Sequence, residues 1–293
     1  MYNQIDSNKR KTVILIVIFV AFILFLGWLF GYLYEFGYAG LIVAVVISLF
    51  MVSTSYYKGD KVALWTAGAK EIQKDANPYL YRMVENLCIT AGLPLPKVHI
   101  IPDQAINAFA TGRDPEHASI AVTEGAIQKL ENEELEGVIA HELSHIKNYD
   151  IRLMTIVIVL VGIIAIFANI MLRANLYGGR RSSNNRGGGL LAIIGLVLII
   201  LSPIIAHLIK LAISRKREFL ADASASLLTR YPEGLARALE KIKAENLPVK
   251  KASNATAHLY IANPFQGSKK FLAKAFSTHP PVEERVAALR KMA

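Results

Sequence analysis

The chain has 293 residues, 53% hydrophobic and 19% charged, and a mean hydropathy of +0.36 that is high for a protein soluble throughout. Its one cysteine, Cys88, excludes an intramolecular disulfide and a cysteine-built metal site, and is expected as a small core residue. The net charge of +10 fits attraction to anionic lipid headgroups better than a nucleic-acid partner, because the apolar excess is gathered into four runs.

Residues 13–32 hold no charge and are long enough to cross a hydrocarbon core. The run is too long for a usual signal-peptide core, and no small-residue cleavage box follows it. A second run covers 38–57. The link between them carries Glu35 and no basic residue, whereas Lys9, Arg10 and Lys11 precede the first run and Lys58 and Lys61 follow the second. Both outer flanks are therefore expected on the cytoplasmic side.

Residues 58–152 read as soluble. A helical region over 65–91 is interrupted near Asn77-Pro78, and Pro94 and Pro96 mark a turn. Short strands are expected at Lys97–Ile101, Ala105–Thr111 and Ala118–Thr123. The next helix has Asn132 as its expected N-cap and Glu133, Glu134 and Glu136 in its first turn, where carboxylates suit the helix dipole. Apolar runs three and four cover 153–172 and 190–209. They are joined by a Gly-, Ser-, Asn- and Arg-rich link holding Arg173, Arg180, Arg181 and Arg186. Residues 211–293 are polar and helical in character, with breaks at Pro232 and Pro248.

The helix after Asn132 carries His141-Glu142-Leu143-Ser144-His145, an H-E-x-x-H pattern. Residues i and i+4 share a helix face, so both imidazoles can reach one metal ion. Glu142 lies about 100° round the helix, beside the metal, where it can take a proton from a water activated by zinc. A catalytic site needs a third protein ligand. No histidine follows at short spacing, so that ligand must be distant. Glu218 and Asp222, again i and i+4, are the best candidates. One can ligate while the other accepts the outer N–H of a ligand histidine.

With these motifs on the page, the chain resembles the HtpX family of membrane zinc metalloproteases and is more distantly similar to the CAAX prenyl endopeptidases. The resemblance covers essentially the whole chain. It rests on the two N-terminal runs, Asn107 to Gly112, Thr123-Glu124-Gly125-Ala126, the HELSH and EFLAD motifs, and Thr278-His279-Pro280-Pro281 followed by Arg285. It implies a mostly α fold with a small sheet. Four membrane helices would support a zincin-like domain of the gluzincin kind, with one zinc per chain held by His141, His145 and Glu218. Glu142 would be the general base, and Asp222 would stand behind a ligand. It further implies an endopeptidase of the cell membrane, acting on membrane or misfolded polypeptides in quality control or stress.

The organisation that follows is 1–57 as two transmembrane helices, 58–152 as the first part of the catalytic domain, 153–210 as a transmembrane or re-entrant hairpin, and 211–293 as the second part. His279 could stabilise the oxyanion, or simply cap a turn. Asn107, Ala108, Phe109 and Ala110 are candidates for an edge strand that holds substrate by main-chain hydrogen bonds. Asp150 could stand behind a ligand or cap a helix, and Arg285 is expected to be structural. If the two motif helices run straight out of the flanking apolar helices, eight residues on each side place zinc ~12 Å beyond the hydrocarbon. The four arginines between the later runs oppose the positive-inside rule in a fully spanning hairpin. A zinc-binding membrane scaffold is the rival reading, and Glu142 discriminates, since a scaffold needs no base beside the metal.

Overall fold

A computed structural model describes residues 2–33, 35, 37–160, 162, 215–245, 247–252, 256–264 and 280–292. Helices α1 (Tyr2–Leu33) and α2 (Ala39–Ala67) form an antiparallel hairpin, and the stretches Ile5–Leu29 and Ala39–Ala67 are each long and apolar enough to cross a membrane. Their backbones approach closely: a Cβ added at Gly27 or Gly40 would run into the facing helix. Small residues permit this packing where no hydrophobic effect drives it. The fourth apolar run and the arginine-rich link lie outside the described residues, as does most of the third, so two of the four expected spans are seen.

Helix α2 continues ten residues past the expected end of its apolar run and stops at Gly68, whose φ of 69° supplies the left-handed cap. Its last turns leave the apolar span and enter the soluble core: Ala63, Leu64 and Ala67 pack with Ile101, Phe109, Met154 and Tyr260. The expected helical region over 65–91 is accordingly two elements separated by a short strand, β1 (Lys70–Glu71). Helix α3 (Pro78–Ala91) starts afresh, with the Asn77 side chain accepting from the Leu80 amide and Pro78 in the first turn. Asn77-Pro78 is thus a start signal rather than an interruption. Cys88 sits on the buried face of α3, as expected.

Strands β2 (Lys97–Ile101), β3 (Ala108–Gly112) and β4 (Ala118–Thr123) complete a four-stranded sheet of order β1-β2-β4-β3. β4 runs parallel to β2 and antiparallel to β3, so β3 ends the sheet. β3 begins three residues later than expected, because residues 103–107 make a turn. The Asp103 carboxylate accepts from the Ala105 amide, and the Asn107 amide donates to Thr123 Oγ1.

After the short α4 (Glu124–Lys129), α5 (Asn132–Lys147) opens with a capping box between Glu131 and Glu134. The N-cap is Glu131, not Asn132, because Glu134 reaches back to the Glu131 amide at 2.9 Å. α5 is the central helix. Leu135, Val138, Ile139, Leu143 and Ile146 bury its apolar face against the sheet and the C-terminal helices. Gly137 allows a close crossing with α8 (Pro232–Glu245): a Cβ there would meet the Leu235 backbone at 2.8 Å. The helices α7 (Arg215–Thr229) and α9 (Val282–Arg290) close the same side.

α5 does not run straight into the third apolar run. It ends at Lys147, Tyr149 takes a left-handed φ of 59°, and a separate helix, α6 (150–160), follows. The straight-helix distance of ~12 Å therefore does not apply on this side. α6 lies along α2, where Ser55 donates to the Ile156 carbonyl at 3.3 Å and a Cβ at Gly59 would press on Thr155.

Candidate active site

His141, Glu142 and His145 lie on α5, and Glu218 and Asp222 lie on α7, which packs directly against it. All five are buried. The two histidine Nε2 atoms are 3.2 Å apart, and each stands 3.7 Å from a carboxylate oxygen of Glu218. One ligand atom from each of these three residues lies within 4.8 Å of the others. Two lone-pair nitrogens and a carboxylate crowded together out of water are costly without a positive charge among them. A divalent cation satisfies all three at once, so the donor set fits a metal with nitrogen and oxygen ligands.

The outer nitrogens are occupied differently. His141 Nδ1 faces Asp222 Oδ1 at 2.9 Å, and Asp222 is gripped by Arg285 through two bonds of 2.7 and 2.9 Å. Arg285 also donates to the Ile261 carbonyl at 2.9 Å. His145 Nδ1 faces Asp150 Oδ2 at 3.0 Å. The other Asp150 oxygen accepts from Asn8 Nδ2 at 2.7 Å and lies 3.5 Å from Arg217 Nε. In both rings the carboxylate accepts from Nδ1–H, which leaves Nε2 as the nitrogen that faces Glu218.

The charges follow from these contacts. Burial pushes His141 down to about 4, against the pull of Asp222, so this ring is neutral at pH 7. Burial also opposes charge on His145, but Asp150 and Glu218 outweigh it and lift the group to about 9. Asp222 would be raised by burial, yet Arg285 brings it down to about 2. Burial raises Glu142 to about 8, with the Glu218 charge adding to it and a backbone bond from Ala110 opposing it. A bound cation favours the ionised form of Glu142 and the neutral form of His145, which brings both to the states that ligation and base catalysis require.

Of the other expected site residues, Ala108, Phe109 and Ala110 lie on β3, and Asn107 precedes it. β3 is the end strand, as expected, and it touches α5 through the Ala110–Glu142 bond. Its free side is partly taken by the chain itself: the Ile261 amide donates to the Ala108 carbonyl at 3.1 Å, and Asn107 Nδ2 donates to the Ala262 carbonyl at 3.4 Å. His279 lies outside the described residues. His99, His117 and His258 bind backbone or a local carboxylate instead of the centre, and His207 is outside the described residues.

In the sequence alone Asp150 is open between two roles and Arg285 is structural, while nothing singles out Asn8 or Arg217 as part of the site. A signal for Asp150 was present, as a lone carboxylate at the mouth of an apolar run. For Asn8 the only sign was one amide among the basic residues before the first span.

Comparison with known proteins agrees with this geometry. The profile described as Peptidase family M48 matches residues 74–293. A protease HtpX homolog of Dictyoglomus turgidum is 46% identical over 291 residues, covering 99% of this chain and 94% of that one. One from Thermoanaerobacter pseudethanolicus is 42% identical, covering 100% and 98%. The crystal structure of S. mikatae Ste24p superposes with a TM-score of 0.51 at 18% identity, covering 99% of this chain and 67% of that one, a likeness of fold. The chain therefore belongs to peptidase family M48 and is a membrane metalloprotease.

Proposed function

We propose that the chain is a zinc endopeptidase of the cell membrane, multi-pass, with its catalytic face on the cytosolic side, and that it cleaves cytosolic segments of membrane or misfolded proteins. The observation that carries the metal reading is the convergence of His141, His145 and Glu218, with both outer ring nitrogens already bonded to carboxylates. In this reading these three residues hold one zinc ion. Zinc, when bound, acts as a Lewis acid that polarises the scissile carbonyl and acidifies water.

The remaining steps belong to the protein. Glu142 takes the proton of the attacking water and returns it to the leaving amine. The Ala110 amide holds the Glu142 carboxyl toward β3, so that the base faces the strand that receives substrate. An extended substrate adds to β3 with main-chain bonds like the one Ile261 makes to Ala108. His279 supplies a donor to the developing oxyanion.

The orientation rests on charge and connectivity. The N-terminal end of α1 and the C-terminal end of α2 both meet the catalytic domain. Lys9, Arg10, Lys11, Lys58 and Lys61 all lie at that end, which supports the cytosolic reading by the positive-inside rule.

Detergent-purified protein incubated with casein tests the reaction. Zinc-loaded wild type cleaves it. Glu142→Gln, which keeps the ligands, loses about 10²–10⁴-fold in rate while still binding zinc. Equal cleavage by the two would sink the mechanism.

A further inference from the structure

The N-terminal helix enters the site through one side chain. Asn8 lies near the start of α1, at the head of the apolar stretch, and is 1% exposed. Every polar atom of its carboxamide is engaged. Nδ2 donates to Asp150 Oδ1 at 2.7 Å and to the Asn148 carbonyl at 2.9 Å, while Oδ1 accepts from Arg217 Nη1 at 3.4 Å. One amide thus joins three segments: the first membrane helix, the corner between α5 and α6, and the residue next to Glu218 on α7.

We propose that Asn8 is a positioning residue of the metal centre, acting through Asp150 to fix the ring of His145. The chemistry favours an amide here. Asp150 must accept from His145 Nδ1 with one oxygen, so its other oxygen needs a donor to fix the carboxylate plane. Arg217 alone stands 3.5 Å from that oxygen and grips it poorly. The Asn8 amide supplies the short bond and at the same time holds Arg217. A polar side chain buried at the edge of a membrane helix is costly unless its partners are fixed, and here they are. Asn8 also ties down the left-handed corner at Tyr149 through the Asn148 carbonyl. The spacing of α5 from α1 and the aim of His145 are therefore set by the same side chain.

The inference rests on His141, His145 and Glu218 being the ligands, and its test separates the two claims. The full-length protein in detergent is loaded with zinc, and release into a chromogenic chelator is followed. Wild type, Asn8→Leu, Asp150→Asn, the double variant, Glu218→Ala and Val17→Ala are compared. Val17 is exposed on the same helix and serves as the control.

Asn8→Leu keeps the branched shape of the side chain and favours the helix, so a role in packing alone predicts release close to wild type. The proposal predicts about three- to tenfold faster release, below the 10–100-fold typical of a direct outer partner. The double variant releases no faster than Asp150→Asn alone, because Asn8 acts through Asp150. In cobalt-substituted protein, Asn8→Leu shifts the visible d–d bands and Val17→Ala does not. Wild-type release by Asn8→Leu, or an effect that adds in full to that of Asp150→Asn, overturns the proposal. Should Asn8→Leu fail to fold, Asn8→Asp carries the same test. It turns the donor facing Asp150 into an acceptor, and unchanged release would again refute the role. If Glu218→Ala retains zinc like wild type, the ligand assignment has failed instead.

Discussion

The two histidines of α5 are backed by clamps of the same plan and different make. Behind His141, Asp222 is held by both arms of Arg285, with every partner coming from the C-terminal part of the catalytic domain. Behind His145, Asp150 is held by a neutral amide from a membrane helix and by a looser arginine. A bidentate guanidinium fixes a carboxylate in plane and charge together. An amide fixes its direction and adds no charge of its own. The first clamp is therefore a charge device internal to the soluble fold. The second ties the histidine to the N-terminal apolar helix.

Removing what the two clamps share has the largest effect. Glu218→Ala deletes the carboxylate between both rings, and zinc affinity falls by more than about a hundredfold, measured by chelator competition. Next comes the arginine that has no substitute. Arg285→Ala leaves Asp222 buried without its counter-charge and destabilises the domain by about 3–5 kcal/mol. Cys88 reports this directly. Burial raises its thiol to about 12, so iodoacetamide labels it slowly in wild type and much faster in the variant.

The carboxylates themselves are compared next. Asp222→Asn and Asp150→Asn each weaken zinc binding by about 10–100-fold. Equal losses would show that the arginine grip adds nothing to ligand aim. Acid separates the clamps as well. Asp222 has an ordinary value of 3.8 and is held at about 2, so its contribution is full above the former and fades as the pH falls through the latter. Metal-free protein accordingly loses tertiary signal across that window, and Asp222→Asn lacks the step. The smallest change is Arg217→Lys, which alters zinc release by less than about threefold because the existing contacts are already long.

The legible part of the site was the part written at helical spacing. His141 and His145, like Glu218 and Asp222, are each one turn apart, and a period of 3.6 puts such pairs on one face without reference to the rest of the chain. Strands β2 and β4 were legible from local composition, as short apolar runs bounded by turns. What stayed hidden depends on separation in sequence or on local competition. Asn8 and Asp150 are 142 residues apart, and nothing in the first span's composition points to the partner. Asn132 had the chemistry of an N-cap, but Glu131 won because Glu134 could reach back to it. The break at Tyr149 was invisible because a left-handed tyrosine carries no compositional mark, unlike a glycine.

The order of the chain has a consequence in time. The HELSH helix leaves the ribosome well before Glu218, and Arg285 follows later still. In the proposed site, a nascent chain that has reached only the HELSH helix holds two histidines and Glu142 with no third donor. At roughly 5–20 residues per second, several seconds pass between the synthesis of Glu218 and that of Arg285. By then Asn8 has long been made, within the first membrane helix. Under the proposed ligand set the enzyme is in effect a split peptidase whose halves are joined by apolar segments, so that its activity begins only after the second half has been made and has folded back onto the first.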